Sequence, residues 1–370
     1  MPLTTTERTA LRGRCHTAYS GHRRISPADE FALLSRWCAE HDIGADVYGE
    51  GRLINGFEKK VAALLGKEAA VFMPSGKMAQ LIAVKIYAER HRSKHFGMHP
   101  TSHLELHEAR AYASLLDMHG VLVGGPQAPI TAADLAGVTD PLACLLVELP
   151  MRECGGILPT WEDIAALSAR ANEQDIALHM DGARLWECGP YFAPRTYAEV
   201  AALFDSVYVS CYKGLNGMNG ALLAGDTAFI AAARTWLVRF GGQLPQQTAA
   251  VAAVAMRFDA QIAAMPRYVA RARSLAQALT GIPGLVLQPR APQVNMLHLH
   301  VACAPDALAE ARDALARDAG VWACGAPRPT GAGHGCSVEW YVGDSLLDLA
   351  DTEVAAVISG LIEAAQQHPL

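Results

Sequence analysis

The sequence predicts an α/β protein with a large domain on a mostly parallel sheet, followed by a smaller α/β domain, and three observations predict it. From about residue 60 to 260, helical periodicity alternates with short uninterrupted apolar runs, the pattern of strands buried on both faces beneath crossover helices. With 370 residues, 51% of them hydrophobic, the chain is longer than a single core usually organises. The alternation then changes around Met265 and Pro266, where a charged helical stretch begins a second pattern.

Residues 1–45 are expected to form an N-terminal segment packing on the small domain, with 46–264 as the large domain and 265–370 as the small one. Apolar runs at 69–73, 144–149, 176–180, 206–210 and 221–224 predict strands. Between two of them, 161–173 predicts a helix with Thr160 as its N-cap and Asp163 completing an imperfect capping box, which makes a βαβ crossover. The alanine-rich stretch 248–264 is interrupted by Arg257, Asp259 and Gln261, so it predicts a packed helix and not a membrane span. A helical segment to Thr280 then leads through Gly281, Pro283 and Gly284 into strands at 285–288 and 295–301, a further helix and a final strand-like piece.

A net charge of -6 without a dominant block leaves no electrostatic footprint for nucleic acid. Nine cysteines, an odd number without a C-x-x-C pair, suit a reducing compartment better than a disulfide framework. Residues 1–14 lack the apolar run of a signal peptide, and no later segment has bilayer length, so a soluble cytoplasmic protein without membrane contact is expected.

Strand 176–180 runs into Asp181 and Gly182, and in open α/β sheets ligands sit beyond the carboxyl ends of the strands. A carboxylate there suits the pyridine nitrogen of pyridoxal 5'-phosphate (PLP), whose protonated ring accepts carbanion electrons; it equally suits an N-cap or a loop. Strand 206–210 is followed by Lys213 among Gly214, Gly217 and Gly220, where a Schiff-base lysine would be partly desolvated and a flat cofactor could approach the backbone. A solvated loop lysine fits the same text, and the company of Asp181 favours the sharper reading. The strand-to-helix turn through Pro74, Ser75, Gly76 and Lys77 offers backbone N–H groups to a phosphate, or is an ordinary turn capped by Ser75; it is not a Walker A loop. His91, His95, His99, His103 and His107 lie four apart, but Gly97 and Pro100 interrupt a helical stripe, so a metal site is the weaker reading and no metal is assigned. Ser102 and Glu105 suggest a capping box, with His103 in the first turn of a helix, able to stack on the cofactor or move a proton.

With these residues in place, the sequence resembles the low-specificity threonine aldolases within the β-eliminating-lyase group of fold type I PLP enzymes. GADVYGEG (44–51), GKEAAVFMPSGKMAQ (66–80), His103 with Glu108, GGILP (155–159), HMDGARL (179–185), YKGL ending at Leu215, FGGQ and VNML carry the resemblance in family order over nearly the whole chain. It implies an aspartate-aminotransferase-like fold with a seven-stranded-type sheet. Lys213 would carry PLP, Asp181 would face its ring nitrogen, Ser75, Gly76 and Lys77 would form the phosphate turn, and His103 would stack on the ring. Arg184 would contact cofactor or substrate carboxylate, with Ser20 and Tyr48 also binding substrate, Tyr48 from a neighbouring subunit of a homo-oligomer, a dimer or tetramer with shared sites. The implied reaction is aldol cleavage of a β-hydroxy-α-amino acid to glycine and an aldehyde. Departures touch the substrate side: Ser20-Gly21-His22 stands for Ser-Asp-Thr, Met151 for a histidine, Lys77 for a threonine, and Glu339 or Trp340 for a carboxylate-binding arginine, with His22, Arg152 and Arg328 as candidate replacements. β-Elimination from a β-substituted amino acid and a PLP-binding protein without turnover are the rival readings.

Overall fold

The computed structural model describes residues 3–330 and 335–367. They form two compact units: Ile25–Met151 with Leu158–Ala263, and Met1–Arg24 with Arg152–Ile157 and Ala264–Leu370. The first boundary therefore falls at 24/25, earlier than the expected 45/46. Helix α1 (Pro27–Glu40) groups with the larger unit because Leu34 packs on Ala252 and Ala253, and because Glu30 pairs with Arg257 at 2.7 Å.

The larger unit is built on seven strands: β1 (Ala69–Met73), β2 (His95–Met98), β3 (His119–Leu122), β4 (Leu142–Glu148), β5 (Ala177–Gly182), β6 (Ser206–Ser210) and β7 (Ala221–Gly225), in the order β1-β7-β6-β5-β4-β2-β3. Only β7 runs against the rest, so the sheet is mostly parallel as the buried runs predict. Helix α2 (Gly76–His91) leaves β1 and packs its apolar side on the sheet, and α3 (Trp161–Glu173) makes the crossover from β4 to β5, with Thr160 accepting from the Asp163 amide. Strands β2 and β3 escape the sequence reading. The stretch 248–264 also differs: it divides into helices Thr248–Ala255 and Phe258–Leu279, bent by 46°. Among the described residues, no single helix is long and apolar enough to cross a membrane.

In the smaller unit, strands β8 (Leu285–Gln288), β9 (Met296–Val301), β10 (Arg328–Pro329) and β11 (Cys336–Tyr341) form an antiparallel sheet in the order β10-β11-β9-β8. One face, with Leu297, Leu299, Val338 and Trp340, packs with residues of the helices Pro305–Ala319 and Asp351–Gln366 into one core. The other face is polar. Onto it folds the segment 152–157, whose two glycines approach closely: a Cβ on Gly155 would stand 2.2 Å from the Gln288 carbonyl oxygen, and one on Gly156 2.7 Å from Val294.

Candidate active site

The carboxyl ends of β5 and β6 place the acid and the amine. Asp181 is opposite Tyr208 in the β5–β6 register, and Lys213 follows the end of β6 in a loop closed by bonds from Gly217 N–H to the Cys211 carbonyl and from Cys211 N–H to the Gly220 carbonyl. Asp181 is buried and accepts from the Ala183 N–H at 3.2 Å. Burial pushes its carboxyl above the usual range, against the pull of the Lys213 ammonium, that N–H bond and His103. A buried carboxyl of this kind calls for a cation against it, which a protonated pyridine nitrogen provides.

His103 opens the four-residue helix His103–Leu106, and its Nδ1 lies 2.8 Å from Oε1 of the buried Glu108. The carboxylate can only accept, so Nδ1 carries a proton, and the tautomer this sets in the neutral ring has its lone pair on Nε2. The expected capping box does not form: Ser102 makes no side-chain cap, and Glu105 instead accepts from Arg110 at 3.2 Å and from Tyr112. Nor do the five histidines share an element. His91 ends α2, His95 begins β2 and stacks on His119, and the buried His99 turns Nε2 to the carbonyls of Gly125 and Ala128 at 2.8 and 3.0 Å.

At the other end of the site, Ser75 caps α2 by accepting from the Met78 N–H at 3.3 Å, leaving first-turn amides without acceptors inside the helix. Gly76 is obligatory for a reason the sequence does not reveal. The phenol of Tyr208 fills the space beside it, and a Cβ there would stand 2.0 Å from the hydroxyl oxygen. Lys77 is exposed and gives its amine to the His107 carbonyl at 3.4 Å. Deeper along the same faces, His179 bonds Ser206 at 2.7 Å and Gln80 at 2.8 Å, and Ser206 takes the Tyr87 hydroxyl at 2.7 Å. With the Gln80 carbonyl oxygen facing Nε2, this becomes a one-way chain from Tyr87 through Ser206 and His179 to Gln80. His179 and Asp181 share one face of β5 by the period of two, so the chain fixes α2 against the strand that carries the acid.

Arg184 precedes the helix Leu185–Phe192, and its Nη1 lies 3.0 Å from the fully buried Glu187. Tyr48 is 54% exposed with a φ of 50°, and its backbone is tied to the Pro245 carbonyl and the Gln243 side chain. Ser20 lies in the smaller unit, where it lines a cavity of about 520 Å³ with Arg152, Glu153, His298, Arg328 and Glu339. Glu339 is therefore the cavity residue, while Trp340 is in the core. Arg152 Nε bonds Glu339 at 2.6 Å and its Nη1 meets Glu153 at 3.1 Å, so Glu339 is neutralised within the cavity. His22 bonds the Tyr341 hydroxyl at 2.8 Å and faces Asp344, and does not line it. Sequence reasoning named Glu108 only as a companion of His103 and missed Tyr208 and the His179 chain; for that chain the alternation of His179 with Asp181 was the available signal.

The comparisons with known proteins agree with this chemistry. The family model described as beta-eliminating lyase matches residues 31–302. A solved structure from Listeria monocytogenes EGD-E, named for L-allo-threonine aldolase, superposes with a TM-score of 0.88 at 32% identity, covering 98% of this chain and 99% of that one. Another from Exiguobacterium sp. 255-15, named for aromatic amino acid beta-eliminating lyase/threonine aldolase, gives 0.88 at 34% identity over 96% and 99%. A relative from Arabidopsis thaliana, named for low-specificity L-threonine aldolase 2, is 28% identical over 295 residues, 76% of this chain and 82% of the relative. A helix start with first-turn amides left without acceptors inside the helix, a buried carboxyl and an amine beyond neighbouring strands together fit pyridoxal phosphate, and the chain belongs to the beta-eliminating lyase family of PLP-dependent enzymes with fold type I.

Proposed function

We propose that the chain cleaves the Cα–Cβ bond of a β-hydroxy-α-amino acid such as threonine or allo-threonine, releasing glycine and an aldehyde. The observation that carries the reading is the buried Asp181 at the end of β5, with Lys213 beyond the neighbouring β6 and His103 also acting on it. The names of the relatives above support it. When bound, PLP supplies the electron sink for the carbanion left at Cα. Lys213 would anchor it, Asp181 would keep the proton on its ring nitrogen, and Ser75 with the amides of Gly76 and Lys77 would hold its phosphate. His103 would hold the cofactor ring, and its Nε2, set by the Nδ1 bond to Glu108, would accept the β-hydroxyl proton. Arg184, steadied by Glu187, takes the substrate carboxylate, with Ser20 and Tyr48 as further substrate-binding residues. Met151, buried where the resemblance implies a histidine, offers no proton-accepting nitrogen for this step. The enzyme works in the cytoplasm as a homo-oligomer, a dimer or tetramer with shared sites.

Product analysis tests the reaction. Incubation of the holoprotein with threonine, allo-threonine and phenylserine should give glycine and the matching aldehyde. A keto acid with ammonia would replace this reading by β-elimination, and no product at all would leave cofactor binding without turnover. Borohydride reduction followed by peptide mapping should place the pyridoxyl group on Lys213; finding it on Lys77 would overturn the assignment.

A further inference from the structure

Strand β6 turns Ser206, Tyr208 and Ser210 to one face, and the bond from Tyr87 to Ser206 identifies it as the face toward α2. Tyr208 is buried, and the end of its side chain reaches the first residue of that helix, where the hydroxyl oxygen stands in the space a Cβ on Gly76 would need. The helix supplies amides without internal acceptors and the positive end of its dipole. Ser75 accepts from the Met78 amide and keeps its O–H as a donor, Ser210 sets its hydroxyl against the phenol, and position 77, a threonine in the family pattern, is a lysine directed to the His107 carbonyl.

We propose that Tyr208 is a phosphate-binding residue: its hydroxyl donates to the cofactor phosphate at the start of α2, replacing the hydroxyl that Lys77 removes. Burial keeps the phenol protonated at all working pH values, so it remains a donor toward the dianion. The glycine at 76 is then a consequence of this arrangement, since any larger residue would displace the phenol. The inference rests on the reading of this helix end as the phosphate site.

The test is the affinity of the full-length apoprotein for PLP and for pyridoxal, which lacks the phosphate, by equilibrium dialysis with cofactor absorbance as readout. Wild type should prefer PLP strongly, and Tyr208→Phe should weaken PLP binding roughly ten- to hundredfold while changing pyridoxal binding little, the loss of one charge-assisted hydrogen bond. Lys77→Thr on the Tyr208→Phe background should recover PLP affinity by restoring a hydroxyl. An equal loss for both ligands would make Tyr208 a ring or packing contact, and an unchanged preference for PLP would remove it from the phosphate site; either overturns the inference alone. A wild type that binds both ligands equally would overturn the phosphate site itself.

Discussion

At residue scale, the site depends on protonation states fixed by burial. Asp181→Asn should retain PLP yet raise the barrier to turnover by about 3–5 kcal/mol, because an amide cannot hold a proton on the ring nitrogen; near-normal kcat would make the carboxylate structural. His179 gives a pH signature. Burial depresses its pKa from 6.5 to about 3, so between these values the unfolded chain binds the proton and the folded chain does not. Its contribution to stability is full above about pH 6.5 and declines as pH falls toward 3. Denaturant titrations across that window should show a shallower acid loss in His179→Gln than in wild type, and parallel profiles would contradict the buried neutral imidazole. Asp181, Lys213 and His103 were legible in the sequence because each sits just past an apolar run or at a helix start. Tyr208 was not, since an aromatic residue inside a buried strand has the text of a core residue, and only the third dimension brings it to Gly76.

At element scale, helix α3 was legible to the residue because its start carries its own chemistry in Thr160 and Asp163. Thr160→Ala should lower stability by about 1 kcal/mol in denaturant titrations with activity intact; no change would mean the cap is dispensable. Strands β2 and β3 were illegible for the opposite reason. Each is four residues long, His-Phe-Gly-Met and His-Gly-Val-Leu, with glycine and histidine diluting the apolar run, and pairing with a neighbour makes them strands. The divided helix at Met256 and Arg257 follows the same logic. Arg257 meets Glu30 through both guanidinium arms, at 2.7 and 2.5 Å, a contact more than 200 residues away that local periodicity cannot report.

At the scale of the whole molecule, the chain does not lay down its units in series: the short segment Arg152–Ile157 interrupts the larger unit and belongs with residues near both termini. Length and composition predicted two units, but not this exchange, because its cause is close backbone approach and not hydrophobicity. Gly155 has a φ of 78° and abuts the Gln288 carbonyl, so Gly155→Ala should cost about 2–4 kcal/mol, read as a fall in Tm; an unchanged Tm would show that the segment yields easily. Assembly is tested by mixing: Lys213→Ala and Tyr48→Phe proteins, each impaired, should regain partial activity together if sites are shared between subunits, and additive residual rates would exclude sharing. The Arg152–Glu339 pair also constrains how such a cavity can change over generations. A lone Glu339→Arg change would set two guanidinium groups against each other beside His298, while a lone Arg152 loss would take from Glu339 the guanidinium at 2.6 Å and leave Glu153 to Arg328 at 3.6 Å. Neither single step leaves the charge of this cavity unchanged, so the two positions are expected to change as a linked pair.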